Sequence, residues 1–177
     1  RGRICMMGQD ESKDLIEVVK HLQGTIIPPN AFLGIYGISL GASSSLMASA
    51  SFSNVNFIVA DCPYSSLDNL IHQWYKERHL VYKIHRPYLK SKFAKEGIDY
   101  NYISPLNYVK NSAIPTFFVH GTSDSLINYK HSEILFDNSI AIKKRLLLVK
   151  NAEHGQSIYV DYEKYHEEFN NFLKEIM

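Results

Sequence analysis

Apolar positions change their period several times along this chain, and each change marks an element. Leu15, Ile16, Val18, Val19 and Leu22 recur at helical spacing, the stripe of an amphipathic helix. Asp10 ahead of them predicts an N-cap, and Gly24 with Pro28 and Pro29 predicts the end of that helix. The pattern then becomes a series of short continuous apolar runs: Phe32 to Tyr36, Asn56 to Ala60, Thr116 to Val119 and Arg145 to Val149. Runs of this length and composition read as buried strands. Leu40 to Ala50, Tyr129 to Phe136 and Ile158 to Ile176 read as helices. Strands without polar alternation, separated by helices, predict an α/β fold with a mostly parallel sheet covered on both faces. Ligands of such sheets bind outside the carboxyl ends of the strands, so the loops after the apolar runs are where chemistry is expected.

Three of those loops carry reactive residue types. Gly37-Ile38-Ser39-Leu40-Gly41 follows the first run and leads into Ala42-Ser43-Ser44-Ser45. A serine at a sharp strand-to-helix turn needs small neighbours, and its hydroxyl then stands clear of the sheet at the positive end of a helix. A buried glycine turn with no chemistry would read the same way. His120-Gly121-Thr122-Ser123-Asp124 follows the third run and Ala152-Glu153-His154-Gly155 the fourth. The order Ser39, Asp124, His154 differs from the orders used by the chymotrypsin and subtilisin folds.

With these segments the chain resembles the α/β-hydrolase superfamily, in particular its serine esterase, thioesterase and serine aminopeptidase branch. Asp61-Cys62-Pro63-Tyr64-Ser65-Ser66-Leu67 is similar to the turn after the strand that follows the nucleophile. Ser104-Pro105-Leu106 is similar to the segment before the acid-bearing strand, and Arg1-Gly2-Arg3 with Asp10 to Leu15 resembles the loop and helix leading into the nucleophile strand. The resemblance covers nearly all of residues 1–177 as one hydrolase domain, with a helical lid inserted at about 68–103. It implies Ser39 as nucleophile, His154 as general base, Asp124 as its orienting acid, and the backbone N–H of Leu40 as one oxyanion donor. No cofactor is implied. The family's sheet has about eight strands, so the four read here imply further strands upstream, and with them the loop that supplies the second oxyanion donor. A chain that starts without Met, at a residue resembling the middle of the pattern, is expected to be part of a longer protein whose N-terminal segment completes the sheet.

The apolar fraction of 45% is that of an ordinary globular domain with a sizeable core. No apolar stretch approaches the roughly 20 residues that cross a bilayer, and the start lacks the layout of a signal peptide. Cys5 and Cys62 are too few for a disulfide framework and show no metal-ligand spacing along the chain. They fit core residues or free thiols in a reducing compartment such as the cytoplasm.

Charge is uneven although the total is only +1. Between Trp74 and Glu96 seven cations face two acids, leaving this stretch at +5 and the remainder at −4. Trp74, Tyr75, Tyr82, Tyr88 and Phe93 interleave with those cations. A solvated helical face with inward aromatics fits the pattern; so does a lid that meets an anionic membrane surface or an acidic substrate. Nucleic acid is not an expected partner, because no nucleic-acid-binding motif accompanies the patch.

Other assignments compete within the same residues. Asp61 also follows a strand after the nucleophile and is an alternative triad acid, although the His-Gly-x-x-Asp context favours Asp124. His120 reads as a structural histidine at a strand end. His72, His79, His85, His131 and His166 lack zinc spacing, and Ser43, Ser44, Ser45 and Ser66 read as packing or capping residues. The expected activity is hydrolysis of carboxylic esters or thioesters of small-molecule or lipid acyl groups. A serine aminopeptidase-type activity and a non-catalytic hydrolase-like module are the alternatives.

Overall fold

The computed structural model describes residues 5–177; Arg1-Gly2-Arg3, read above as part of a family loop, lies outside them. Among the described residues, four parallel strands form one sheet in the order β1-β2-β3-β4. They are β1 (Gly34–Ile38), β2 (Phe57–Asp61), β3 (Thr116–Gly121) and β4 (Lys144–Val149). The helices are α1 (Gln9–Thr25), α2 (Leu40–Ala48), α3 (Leu67–Glu77), α4 (Tyr82–Lys95), α5 (Pro105–Val109), α6 (Lys130–Asn138), α7 (Ser157–Val160) and α8 (Tyr162–Ile176). Four strands and an α/β-hydrolase layering agree with the sequence pattern.

Side-chain alternation along the strands builds a core on each face of the sheet. Ile58 and Ala60 of β2, with Phe118 of β3, pack against Val19 of α1, Leu46 of α2, Val109 of α5 and Leu135 of α6. Val59, Phe117, Val119, Leu147 and Val149 point the other way, against Tyr165 and Phe172 of α8. In α8 the faces of Phe169 and Phe172 stack on Phe117 at centroid distances of 5.9 and 5.6 Å. Burying an aromatic side chain of this kind stabilises the fold by about 1.5 to 3 kcal/mol.

Several boundaries differ from the sequence expectation for local reasons. The first helix starts at Gln9, not behind an Asp10 cap: Gly8 holds the N-cap position at φ 100°, and the Glu11 carboxylate accepts from the Gly8 and Met6 N–H groups. It also runs through Gly24 to Thr25. The first strand lies two residues later than expected and is not buried along its length. Among the described residues β1 pairs with β2 alone, and of its five residues only Gly37 is buried, with Tyr36 and Ile38 50% and 43% exposed. The last helix is broken at Asp161, whose carboxylate accepts from Lys164 N–H and starts α8 as a separate element.

A third core lies under the helical excursion between β2 and β3. Leu67, Leu70 and Ile71 of α3 meet Tyr82 of α4 and Tyr100, Ile103 and Ile127. Trp74, Tyr75, Tyr82 and Phe93 pack into or against this cluster, whereas Tyr88 stays 66% exposed. Arg86 pairs with Asp68 at 2.6 Å. Lys83, Lys92 and Lys95 of α4 are exposed, while Lys90 donates to Asn101 Oδ1 at 2.7 Å. Among the described residues no helix is long and apolar enough to cross a membrane.

Candidate active site

The turn between β1 and α2 is built around one close approach. A Cβ on Gly37 would sit 2.5 Å from the Gly41 carbonyl oxygen and 2.6 Å from the Ala42 nitrogen. Strand and helix therefore touch backbone to backbone, and only glycine fits. Gly41, expected to serve the same purpose, has open space at the corresponding point. Ser39 pivots the turn at φ 57°, ψ −118°, a backbone conformation that L-residues rarely adopt. Its own N–H is tied to the Asp61 carbonyl at 2.8 Å. The strain is therefore held by the neighbouring strand end.

From this turn the Ser39 hydroxyl reaches His154 Nε2 at 2.9 Å, and His154 Nδ1 reaches Asp124 Oδ2 at 2.7 Å. Each distance is that of a well-formed hydrogen bond. His154 arrives on the loop after β4, which closes tightly on β3: a Cβ at Gly121 would fall 2.2 Å from the Ala152 carbonyl oxygen. Asp124 follows β3, with Oδ1 accepting from the Leu126 and Ile127 N–H groups at 2.9 Å each. Burial alone would raise the Asp124 pKa. Hydrogen bonds from His120, His154 and the Ile127 N–H outweigh it and hold the carboxyl well below the usual range. It is thus ionised whenever His154 needs an acceptor on Nδ1. Leu40, first residue of α2, presents its N–H beside Ser39, and a first-turn N–H has no intrahelical acceptor.

Asp61 does not join this relay. Its Oδ2 lies 3.5 Å from the Tyr36 hydroxyl, and its Oδ1 is buried without a partner. Burial pushes its pKa up to about 6, against the opposing pull of His120, Tyr36 and His154. The serines of α2 bond locally: Ser44 and Ser45 donate to the Leu40 and Gly41 carbonyls, and Ser43 Oγ accepts from the Tyr64 N–H. Ser66 caps α3 by accepting from the Asn69 N–H. His131 is buried between Ser65 and Gln73. Burial, with repulsion from His120, lowers its pKa to about 4.

Two neighbours of the relay are not evident from the pattern. His120 is more than a packed strand-end histidine: its Nε2 lies 2.8 Å from the Ile127 carbonyl and 3.3 Å from Asp124 Oδ2. Its spacing of four residues from Asp124 is the only hint in the sequence. Cys62, fully buried at φ 46°, places Sγ 3.9 Å from His154 Nε2. Contact between residues 62 and 154 follows from β2 and β4 flanking β3 and has no signature along the chain.

The sequence model described as the prolyl oligopeptidase family matches residues 5–177. No curated protein is recognisably similar in sequence. Among solved structures, an esterase of Pyrococcus furiosus is similar, with a TM-score of 0.73 and 23% identity over 99% of this chain and 66% of that one. An acylaminoacyl peptidase of Pyrococcus horikoshii superposes with a TM-score of 0.70 at 20% identity, covering 97% of this chain and 28% of that one. A puromycin-hydrolyzing peptidase of Mycobacterium tuberculosis gives 0.70 at 19% identity, covering 97% and 26%. The chain thus spans less than two thirds of each of these proteins.

Proposed function

Because the chain belongs to the prolyl oligopeptidase family, we propose that it is a serine hydrolase that cleaves carboxylic esters or thioesters through an acyl-enzyme on Ser39. The observation that carries this reading is the unbroken relay from Ser39 Oγ through His154 to Asp124, at 2.9 and 2.7 Å.

His154 Nε2 takes the hydroxyl proton as Ser39 Oγ bonds to the acyl carbon, and Asp124 stabilises the imidazolium through Nδ1–H. The carbonyl oxygen becomes an oxyanion that the Leu40 N–H receives, a type of contact worth about 3 to 4 kcal/mol. Collapse breaks the bond to the alcohol or thiol, which leaves with the proton from His154. Water then gives its proton to His154 and its oxygen to the acyl carbon, and the acid is released from Ser39.

The aromatic helical excursion of α3 and α4 supports an apolar acyl group as substrate. In this reading it serves as a lid, and the exposed face of α4 rests on an anionic lipid surface. The chain also spans more of that esterase, 66%, than of the two peptidases, 28% and 26%. Profiling the full-length protein on p-nitrophenyl esters and acyl thioesters of increasing chain length, beside aminoacyl and N-acyl-aminoacyl anilides, tests the assignment. Turnover of esters at least tenfold above anilides in kcat/KM is the expected result. The reverse ranking would assign it to the peptidases of the family instead.

A further inference from the structure

Cys62 has no part in the acyl-transfer reaction, yet its sulfur faces the atom of His154 that does the proton transfer. Sγ of Cys62, a carboxylate oxygen of Asp124 and a ring nitrogen of His154 all lie within 4.8 Å of one another. A tetrahedral zinc with a thiolate at about 2.3 Å and an imidazole nitrogen at about 2.0 Å sets those two donors roughly 3.5 Å apart. The observed separation of Cys62 Sγ and His154 Nε2 is 3.9 Å, so a small side-chain adjustment suffices. The outer atoms are already in place. His154 Nδ1 bonds Asp124 Oδ2 at 2.7 Å, the carboxylate–histidine arrangement that fixes the tautomer and raises the basicity of a zinc-binding imidazole. Ser39 Oγ lies 2.9 Å from the same Nε2, so an ion held there also meets the nucleophile. The His154 side chain is 25% exposed, so the cluster is reached from the His154 side.

We propose that Cys62 Sγ and His154 Nε2, backed by Asp124, form an inhibitory site for a thiophilic divalent cation such as zinc. The inference rests on the reading of His154 as the general base for its consequence, although not for the binding itself. On binding, the Cys62 S–H bond breaks and its proton passes to solvent. The sulfur and Nε2 lone pairs form the two metal bonds, and Nδ1–H stays on Asp124. Nothing is oxidised. With its Nε2 lone pair engaged, His154 no longer accepts the Ser39 proton, and acyl transfer stops until the ion is removed.

Cys5 is an exposed free thiol, so the test is made on full-length protein carrying Cys5→Ser. Cadmium titration is read by the ultraviolet thiolate-to-metal charge-transfer band, a signal independent of turnover. One cadmium per Cys5→Ser chain is expected, with the band retained in Ser39→Ala, lost in Cys62→Ser and weakened at least tenfold in His154→Ala. Zinc should lower ester turnover at least tenfold, reversibly with chelator, and Cys62→Ala should raise the half-inhibiting zinc concentration at least tenfold. No band in the Cys5→Ser protein, or a band unchanged by both Cys62→Ser and His154→Ala, overturns the site. A band with no fluorophosphonate labelling of Ser39 would leave the metal site standing and overturn the hydrolase reading. Labelling with no band does the opposite.

Discussion

His120 Nε2 lies 3.3 Å from Asp124 Oδ2, the same carboxylate oxygen that receives His154 Nδ1 at 2.7 Å. Asp124 is therefore held from four directions, by two imidazoles and by the Leu126 and Ile127 N–H groups. His120→Asn removes the imidazole that helps hold the carboxylate ionised and aimed. A hydrogen bond to a charged group is worth about 1.5 to 3 kcal/mol, so kcat should fall roughly 10- to 100-fold with KM little changed. The acid limb of the rate profile should shift as well, which loss of packing alone would not cause. Steady-state kinetics across pH, with a melting curve as control, checks this.

Asp61 and His131 give stability an opposed pH dependence. Asp61 has a folded-state pKa of about 6, above its unfolded value near 3.9. Its protonated form therefore favours the fold below that unfolded value, and the contribution is lost as pH rises through 6. His131, at about 4 when folded, starts near 6.5 when unfolded; the unfolded chain binds the extra proton between those values, and stability falls as pH drops through that window. Asp61→Asn should thus stabilise the protein at pH 7.5 by up to about 3 kcal/mol and give no gain near pH 4. Urea denaturation at both pH values measures the difference; an equal effect at both would contradict it.

Gly37→Ala forces a Cβ against backbone atoms of Gly41 and Ala42 that have no freedom to yield. Overpacking of this kind costs about 1 to 3 kcal/mol, and here it also re-aims Ser39. Thermal melting should show at least that loss, together with near-complete loss of ester turnover. Native stability and activity in this variant would mean that the turn is looser than described.

On α4 and the residues before it, Leu80, Val81, Ile84 and Tyr88 are 50%, 57%, 72% and 66% exposed, and Lys83 and Lys92 are exposed beside them. If this surface rests on anionic lipid, Lys83→Ala with Lys92→Ala should weaken sedimentation with phosphatidylserine vesicles about 10- to 30-fold, at about 1 kcal/mol per cation. Neutral vesicles should bind the parent weakly. Equal binding of parent and double variant would remove the membrane from the account.

The sheet and the relay were legible because both depend on local patterns. Uninterrupted apolar runs located β2, β3 and β4 nearly to the residue, and each reactive side chain sits immediately beyond a strand. The start of β1 is less legible: the apolar run begins at Phe32, whereas pairing with β2 begins at Gly34. The cap of α1 was missed because Gly8 caps through backbone geometry and Glu11, not through a side chain of its own. The helical insertion expected over about 68–103 divides into α3 and α4, and α4 keeps its 14 residues through Pro87. The approach of Cys62 to His154 required the three-dimensional order of the strands.

The central claim is that Ser39 is an activated nucleophile. Fluorophosphonate labelling of the full-length protein beside Ser39→Ala, read by intact mass, tests it most directly. A single adduct on the parent that disappears in Ser39→Ala is the predicted result. No adduct on folded parent, or an adduct that survives in the variant, would contradict it and leave the fold as a binding module without this chemistry.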